Sequence, residues 1–215
     1  IPIHFIMEAT GVYYENCALY MFTAGNKVSV VLPNRAKKYI AALGVKTKND
    51  KADSKALSRM GAEQALDLWE PMGMFFYELR SLTRFYQSLQ ESLTVYNNQL
   101  EAVQCGMHSN KEIIRRLKKM MDQLDKQVEE IRKCISEHIA SDELVARKVK
   151  DLAAIRGVGE LSVAVVVSET NGFLLFKTAY QLVSYAGYDV VENQAGRGVG
   201  RPKMTKEGKA RERRA

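Results

Sequence analysis

A chain of 215 residues, 46% hydrophobic and 27% charged, is long enough to bury one or two cores. Thirty-two Lys/Arg against 25 Asp/Glu give a formal net charge of +7, which points to nucleic acid or an anionic surface. The longest apolar run near the C-terminus, Val163 to Val167, is too short to span a bilayer; Cys17, Cys105 and Cys134 have no C-x-x-C spacing and read as reduced thiols of a cytoplasmic protein; and three histidines leave a zinc site improbable.

The chain opens Ile1-Pro2-Ile3-His4, without Met or a signal-peptide pattern, and ends in a basic segment with no stop signal, so a fragment of something longer is expected. Ile3 to Met7 is a short apolar run that reads as a buried strand and delivers Glu8 at its C-terminal end. Ala9-Thr10-Gly11 turns into a predicted helix from about Val12 to Phe22. Lys27 to Leu32 predicts a second strand stopped by Pro33, and Asn34 can cap a helix through about Leu43. Strand, helix, strand, helix is the pattern of an α/β sheet with crossovers, in which ligands gather at the carboxyl ends of strands, where Glu8 sits.

Asp50 and Asp53 are three apart and share one face of a helix. With Glu8 they can hold one or two Mg²⁺ ions, because hard oxygen ligands suit that ion and two such ions clamp the attacking and leaving oxygens of a phosphodiester. The plainer alternative makes Asp50 an N-cap and pairs Asp53 with a lysine. Trp69-Glu70-Pro71 closes this first unit, residues 1–71.

From Glu78 the register becomes regular. Leu79, Leu82, Tyr86, Leu89, Leu93, Tyr96, Leu100 and Val103 alternate spacings of three and four, and after a break at Gly106 to Asn110, Ile114, Leu117, Met121, Leu124, Val128, Ile131 and Ile135 do the same. This is the signature of a coiled-coil seam over residues 75–140, a scaffold or oligomerisation arm whose two helices form an antiparallel hairpin or equally pair with another subunit. No chemistry is assigned to it.

Residues 145–215 form a third part, expected to be small and mainly α-helical. Ile155-Arg156-Gly157-Val158-Gly159-Glu160-Leu161-Ser162 reads as a helix-hairpin-helix-like turn whose glycines let backbone N–H groups approach a phosphate; a plain turn between helices is the alternative. Phe173 to Tyr188 offers an amphipathic helix. From Arg197 onward, Arg197, Arg201, Lys203, Lys206, Lys209, Arg211, Arg213 and Arg214 face only Glu207 and Glu212, with glycines and Pro202 opposing regular helix. A flexible cationic segment beside such a turn suits a polyanion; a solvated tail is the other reading. Arg35, Lys37, Lys38, Lys46, Lys48, Arg80 and Arg84 are further candidates to contact RNA or DNA, with solvated surface cations as the other reading of each.

Taken in order, these segments resemble a known family. Met7-Glu8-Ala9-Thr10-Gly11 and Lys46-Thr47-Lys48-Asn49-Asp50-Lys51-Ala52-Asp53 resemble the RuvC-like domain of the IS-one-ten family of insertion-sequence transposases. Ile155 to Gly159, Phe176 to Leu182, Tyr185-Ala186-Gly187, Glu192-Asn193-Gln194-Ala195-Gly196 and Gly200 to Arg211 resemble that family's C-terminal transposase domain. The resemblance implies an α/β RuvC/RNase-H-like domain, a coiled-coil hairpin and a small helical domain. It implies a DNA recombinase acting on double-stranded DNA, guided by a non-coding bridge RNA and assembled as a dimer or tetramer. It further implies that Glu8, Asp50 and Asp53 are the second, third and fourth ligands of an Asp-Glu-Asp-Asp set for Mg²⁺. A serine nucleophile then forms a covalent link to the DNA phosphate.

The chain departs from that pattern twice. The first acidic residue belongs on a strand before Ile1, and the serine of a Gln-Ser-Gly triplet is Ala195 here. A chain without that hydroxyl is expected to bind but not to cleave; nothing in the motif supports Ser168 or Ser184 as a substitute. Two other readings stand beside the recombinase: a metal-dependent RuvC-like nuclease or resolvase without a serine, and a non-catalytic nucleic-acid-binding protein.

Overall fold

In a computed structural model of the chain, the described residues are 3–44, 49–176, 178–191, 194–195, 198–199 and 203–204. They comprise eight helices and short strands, divided between two compact units, Ile1–Pro71 and Met72–Ala215.

The first unit runs β1 (His4–Glu8), α1 (Glu15–Thr23), β2 (Lys27–Val31), α2 (Pro33–Ala42) and α3 (Asp50–Glu63). β1 and β2 pair in parallel, with His4 opposite Lys27 and Glu8 opposite Val31. Parallel neighbours need a crossover, and α1 supplies it. Val31, Ala36 and Met60 are buried together, with Ile6, Tyr39, Leu57 and Leu66 packed around them, so α2 and α3 cover one face of the pair. Beneath them, Ser29 donates to the Asp67 carbonyl at 2.7 Å, which leaves its oxygen to accept from His4 Nε2 at 2.8 Å.

Several predicted boundaries shift. The first helix starts at Glu15 rather than Val12, because Gly11 takes φ +56° and Tyr13 N–H bonds back to the Thr10 carbonyl, using those residues in a turn. α2 begins at Pro33, with Leu32 as N-cap, rather than behind an Asn34 cap: the fixed φ of proline suits the first helical position, whose N–H would have no intrahelical partner. The same placement ends β2 at Val31, one residue before the predicted Leu32. Asn49, not Asp50, caps α3, accepting from Ala52 N–H at 2.8 Å.

α3 lies close against β1 at Gly61, where an added Cβ would stand 2.5 Å from Ile6 Cδ1. Gly61→Ala is therefore expected to destabilise this unit by about 1–3 kcal/mol in urea unfolding. On its outer side, Glu63 accepts from the Tyr39 hydroxyl at 2.6 Å and from Arg59 Nε at 2.5 Å, which together hold its carboxyl below the usual range. A depressed carboxyl contributes stability above its unfolded pKa and loses it as pH falls through the folded value. Glu63→Gln should flatten the acid limb of the unfolding midpoint against pH, and an unchanged acid limb would dismiss this linkage.

The second unit holds α4 (Met74–Cys105), α5 (Lys111–Ala140), α6 (Glu143–Ala153), α7 (Glu160–Glu169) and α8 (Ala179–Ala186). Four two-residue strands come after them: β3 (Val190–Val191), β4 (Gln194–Ala195), β5 (Gly198–Val199) and β6 (Lys203–Met204). β3 pairs with β6 and β4 with β5, both antiparallel. α4 and α5 form an antiparallel hairpin broken at Gly106 to Asn110, with Asn110 Oδ1 accepting from Glu112 and Ile113 N–H. Each residue of the predicted seam, from Leu79 to Val103 and from Ile114 to Ile135, is buried or half-buried. Leu79, Ile135 and Ile139 share a core with Val145 and Val149 of α6 and Val163, Ala164 and Val167 of α7. The base of the hairpin, α6 and α7 are thus one packed body.

The predicted amphipathic helix over Phe173 to Tyr188 is shorter. Asn171, Gly172 and Phe173 all take positive φ after α7, which no helix can continue through, and α8 starts only behind the Thr178 cap. It ends at Gly187 in the left-handed conformation.

Candidate functional site

The carboxylates singled out in the sequence sit in the first unit. Glu8 ends β1, is half-buried, and accepts from Thr10 Oγ1 at 3.4 Å. Side chains alternate along a strand, so Glu8 shares the sheet face of Ile6, the face on which Gly61 of α3 rests. Asp53, Leu57 and Gly61 are spaced four apart along α3, and Asp50 lies one turn before Asp53, so both aspartates follow the stripe that meets β1. Asp50 is exposed and Asp53 half-buried, in a first helical turn whose free N–H groups favour anions.

Carboxylate oxygens are the right donors for Mg²⁺. Among the described residues, however, no group of three or more His, Cys, Asp or Glu is close enough to hold a metal ion. Glu8 and the two aspartates share a side of the unit without forming a ligand cluster.

In the second unit, Gly157 and Gly159 lie between α6 and α7. Gly157 has φ +90°, which makes glycine the natural residue there. Gly159 is the N-cap of α7 at φ −84° and ψ 150°, ordinary extended backbone, and an added Cβ would meet nothing within 4 Å. Fold geometry therefore requires the first glycine and not the second. Among the described residues no side chain caps the first N–H groups of α7, and Glu160 places a carboxylate in the same turn.

Ala195 closes β4, opposite Gly198 of β5. Lys203 opens β6. Arg197, Arg201, Lys206, Lys209 and Arg211 lie outside the described residues, as do Lys46 and Lys48. Ser184 Oγ donates to Asp189 Oδ2 at 2.5 Å, and Ser168 is fully buried, donating to the Val165 carbonyl.

Two candidate cations are engaged inside the fold. Arg80 stacks over the Tyr77 ring at 5.0 Å. Arg84 makes a two-pronged pair with Glu169, at 2.6 Å from Nε and 2.8 Å from Nη2, and the Glu169 side chain is 1% exposed. One residue earlier on each helix, Thr83 Oγ1 and Ser168 Oγ lie 3.1 Å apart in the buried interior. Reading Arg84 as a surface cation missed this pair. The available signal was Ser168-Glu169-Thr170, three polar residues prolonging the apolar helix that holds Val163 to Val167.

Removing one partner strands a buried charge, so Arg84→Ala should cost about 3–5 kcal/mol in urea unfolding, largely recovered by the double change Arg84→Met/Glu169→Leu. A loss of nucleic-acid affinity with unchanged stability would instead make Arg84 a surface contact.

A family model described as Transposase IS116/IS110/IS902 family matches residues 149–215, and the DEDD transposase model of the same family, described as Transposase, matches residues 2–109. Two curated relatives, each described as a pilin gene-inverting protein, come from Moraxella bovis and Moraxella lacunata. Each is 29% identical over 195 residues, which cover 90% of this chain and 58% of the relative. The chain thus spans less than two thirds of the length of the curated relatives it matches. The DEDD match indicates a RuvC-like fold for the first unit, whose small parallel sheet under helices agrees with it. With one model covering the strand and helix that carry the carboxylates and the other covering the Gly-x-Gly turn and the C-terminal residues beyond it, the chain belongs to the IS116/IS110/IS902 family of DNA transposases and recombinases.

Proposed function

We propose that this chain is the greater part of an RNA-guided DNA recombinase of an insertion sequence, in a form whose nucleophile has been replaced by Ala195. The observation that carries the reading is the shared stripe on α3: Asp50 and Asp53 lie in line with Gly61, which seats the helix on the sheet face where Glu8 ends β1. A stripe of two carboxylates running onto the side of a strand-end carboxylate is poorly explained by solvation alone, because Asp53 and Glu8 are both half-buried.

In this reading Glu8, Asp50 and Asp53 would hold Mg²⁺, which when bound neutralises charge on the phosphodiester. Gly157, Gly159 and the basic residues Arg197, Arg201, Lys203, Lys206, Lys209 and Arg211 bind the phosphate backbone. The open N–H groups at the start of α7 donate to phosphate oxygens, and the tail cations release counterions. The seam of α4 and α5 is read as a coiled-coil arm, residues 75–140, that joins copies into a dimer or tetramer, between a catalytic domain at 1–71 and a transposase domain at 145–215. A bridge RNA is read as choosing the DNA by base pairing, so the protein needs to bind backbone more than base edges.

The test uses the longer parent protein with Ala195→Ser beside the Ala195 form, the element's own non-coding RNA, duplex DNA carrying the element's ends, and Mg²⁺. A slow-migrating protein–DNA adduct on a denaturing gel, seen only with the serine, RNA and Mg²⁺ together, is expected. Equal cleavage by both forms without an adduct would favour a metal-dependent nuclease. Binding by both without cleavage would favour a non-catalytic binder.

A further inference from the structure

The hairpin arm carries its charge unevenly, and the unevenness runs along its length. From Gly106 to Lys119, at the turn and the first half of α5, Lys111, Arg115, Arg116, Lys118 and Lys119 face a single acid, Glu112. From Met120 to Ala140, at the base, the balance reverses: Asp122, Asp125, Glu129, Glu130 and Glu137 outnumber Lys126, Arg132 and Lys133. All five distal cations are exposed. Arg115 and Arg116 share Glu112, at 2.9 and 2.8 Å, while their side chains stay 76% and 72% exposed. Lys111, Lys118 and Lys119 have no acidic partner among the described residues.

Stability does not account for this arrangement. A surface coat needed only for solubility is served by interspersed signs, as in the base half of α5, whereas five cations within nine residues repel one another and add to the positive end of the helix. None of the five belongs to the seam formed by Ile114, Leu117 and Met121, so none contributes to the packing of α5 on α4. The nearest acid on the facing helix is Glu101, and α4 carries no Lys or Arg after Arg84.

We propose that the distal end of the arm is a second nucleic-acid contact, which grips the phosphate backbone of duplex DNA through Lys111, Arg115, Arg116, Lys118 and Lys119. Lys111, Arg115 and Lys118 succeed each other at i, i+4 and i+7 along one side of α5, a rise of about 10 Å, which sets a row of cations beside a regularly spaced run of phosphates. Residues 106–119 contain no Phe, Tyr or Trp on which an unpaired base could stack, so the surface fits a duplex backbone better than a single strand. The inference rests on the nucleic-acid reading of the chain, but on residues other than those of the Gly-x-Gly turn and the basic C-terminal segment.

The experiment measures binding of the full 215-residue chain to a 30-base-pair duplex of arbitrary sequence by fluorescence anisotropy, across a series of salt concentrations. The quadruple variant Lys111→Ala/Arg115→Ala/Lys118→Ala/Lys119→Ala is compared with Lys126→Ala/Arg132→Ala/Lys133→Ala at the base. Both keep the seam and should retain wild-type helicity and melting. Each phosphate contact contributes about 0.9 to the slope of log affinity against log salt, so the distal variant should lose roughly 2–4 of slope and on the order of 100-fold in affinity at low salt. The base variant should match wild type. An unchanged slope in the distal variant, with wild type binding normally, overturns the arm contact alone. Equal losses in the two variants also overturn it, because they would show a net-charge effect. A loss seen only with structured RNA in place of the duplex overturns the assignment to DNA. Failure of the wild-type chain to bind either nucleic acid overturns the functional reading beneath it.

Discussion

The second unit depends on one wall, the first three turns of α4. Leu79 lies there fully buried, packed with Ile135 and Ile139 from α5 and with the apolar face of α7. Gly172, beyond α7, has φ +66° and comes so near Phe76 that an added Cβ would stand 2.5 Å from its ring. One turn further on, Thr83 meets Ser168 and Arg84 meets Glu169. A buried carboxylate is costly unless its lone pairs are met, and the fork of an arginine meets two of them in a fixed geometry. These contacts restrict how α7 sits on the hairpin, and with it the Gly-x-Gly turn at the head of α7. His138, in the last turn of α5, stacks on Phe75 at 4.4 Å and donates to the Phe75 carbonyl, tying the two helices of the hairpin together at their base.

The first unit has a thinner basis. Two strands alone are marginal, and the pair is held by α2 and α3 on one face through Val31, Ala36 and Met60. Small residues do much of the fitting: Ala18, Ala36 and Ala56 are almost wholly buried, and Gly61 lets α3 approach β1. That close approach is also what aligns Asp50 and Asp53 with the sheet face of Glu8. Packing and the candidate carboxylates therefore share one helix stripe, in which apolar residues occupy the C-terminal half and carboxylates the N-terminal turn, where helix N–H groups favour negative charge.

In the proposed reading, family membership and chemistry separate at Ala195. A methyl side chain has no lone pair with which to attack phosphorus, whatever backbone surrounds it. In the proposed reading, the remainder of the domain, from the Gly-x-Gly turn onward, serves binding, which does not need that atom. The Gly159 N-cap without a capping side chain and the segregated cations on α5 are read as phosphate contacts, which depend on donors and charge rather than on a nucleophile.

Periodicity alone determined two long helices and the break between them. Fifteen seam positions at spacings of three and four, interrupted by Gly106 to Asn110, are local properties of the chain, whereas the pairing of the two helices with each other is a tertiary contact. Motif order likewise revealed the family, and Glu8, Asp50 and Asp53 were legible as candidates because carboxylates at a strand end and in a first helical turn are local signals. Only the tertiary structure decided what lies far apart in sequence. Arg84 reads as a surface cation until Glu169, 85 residues later, is packed beside it. Pro33 reads as a strand stop until β2 feeds directly into α2. Whether hairpin and C-terminal helices stand apart was likewise decided by Leu79, Ile135, Val149 and Val167 closing into one core. Burial and partner choice are set by contacts between distant segments, and local pattern carries no record of them.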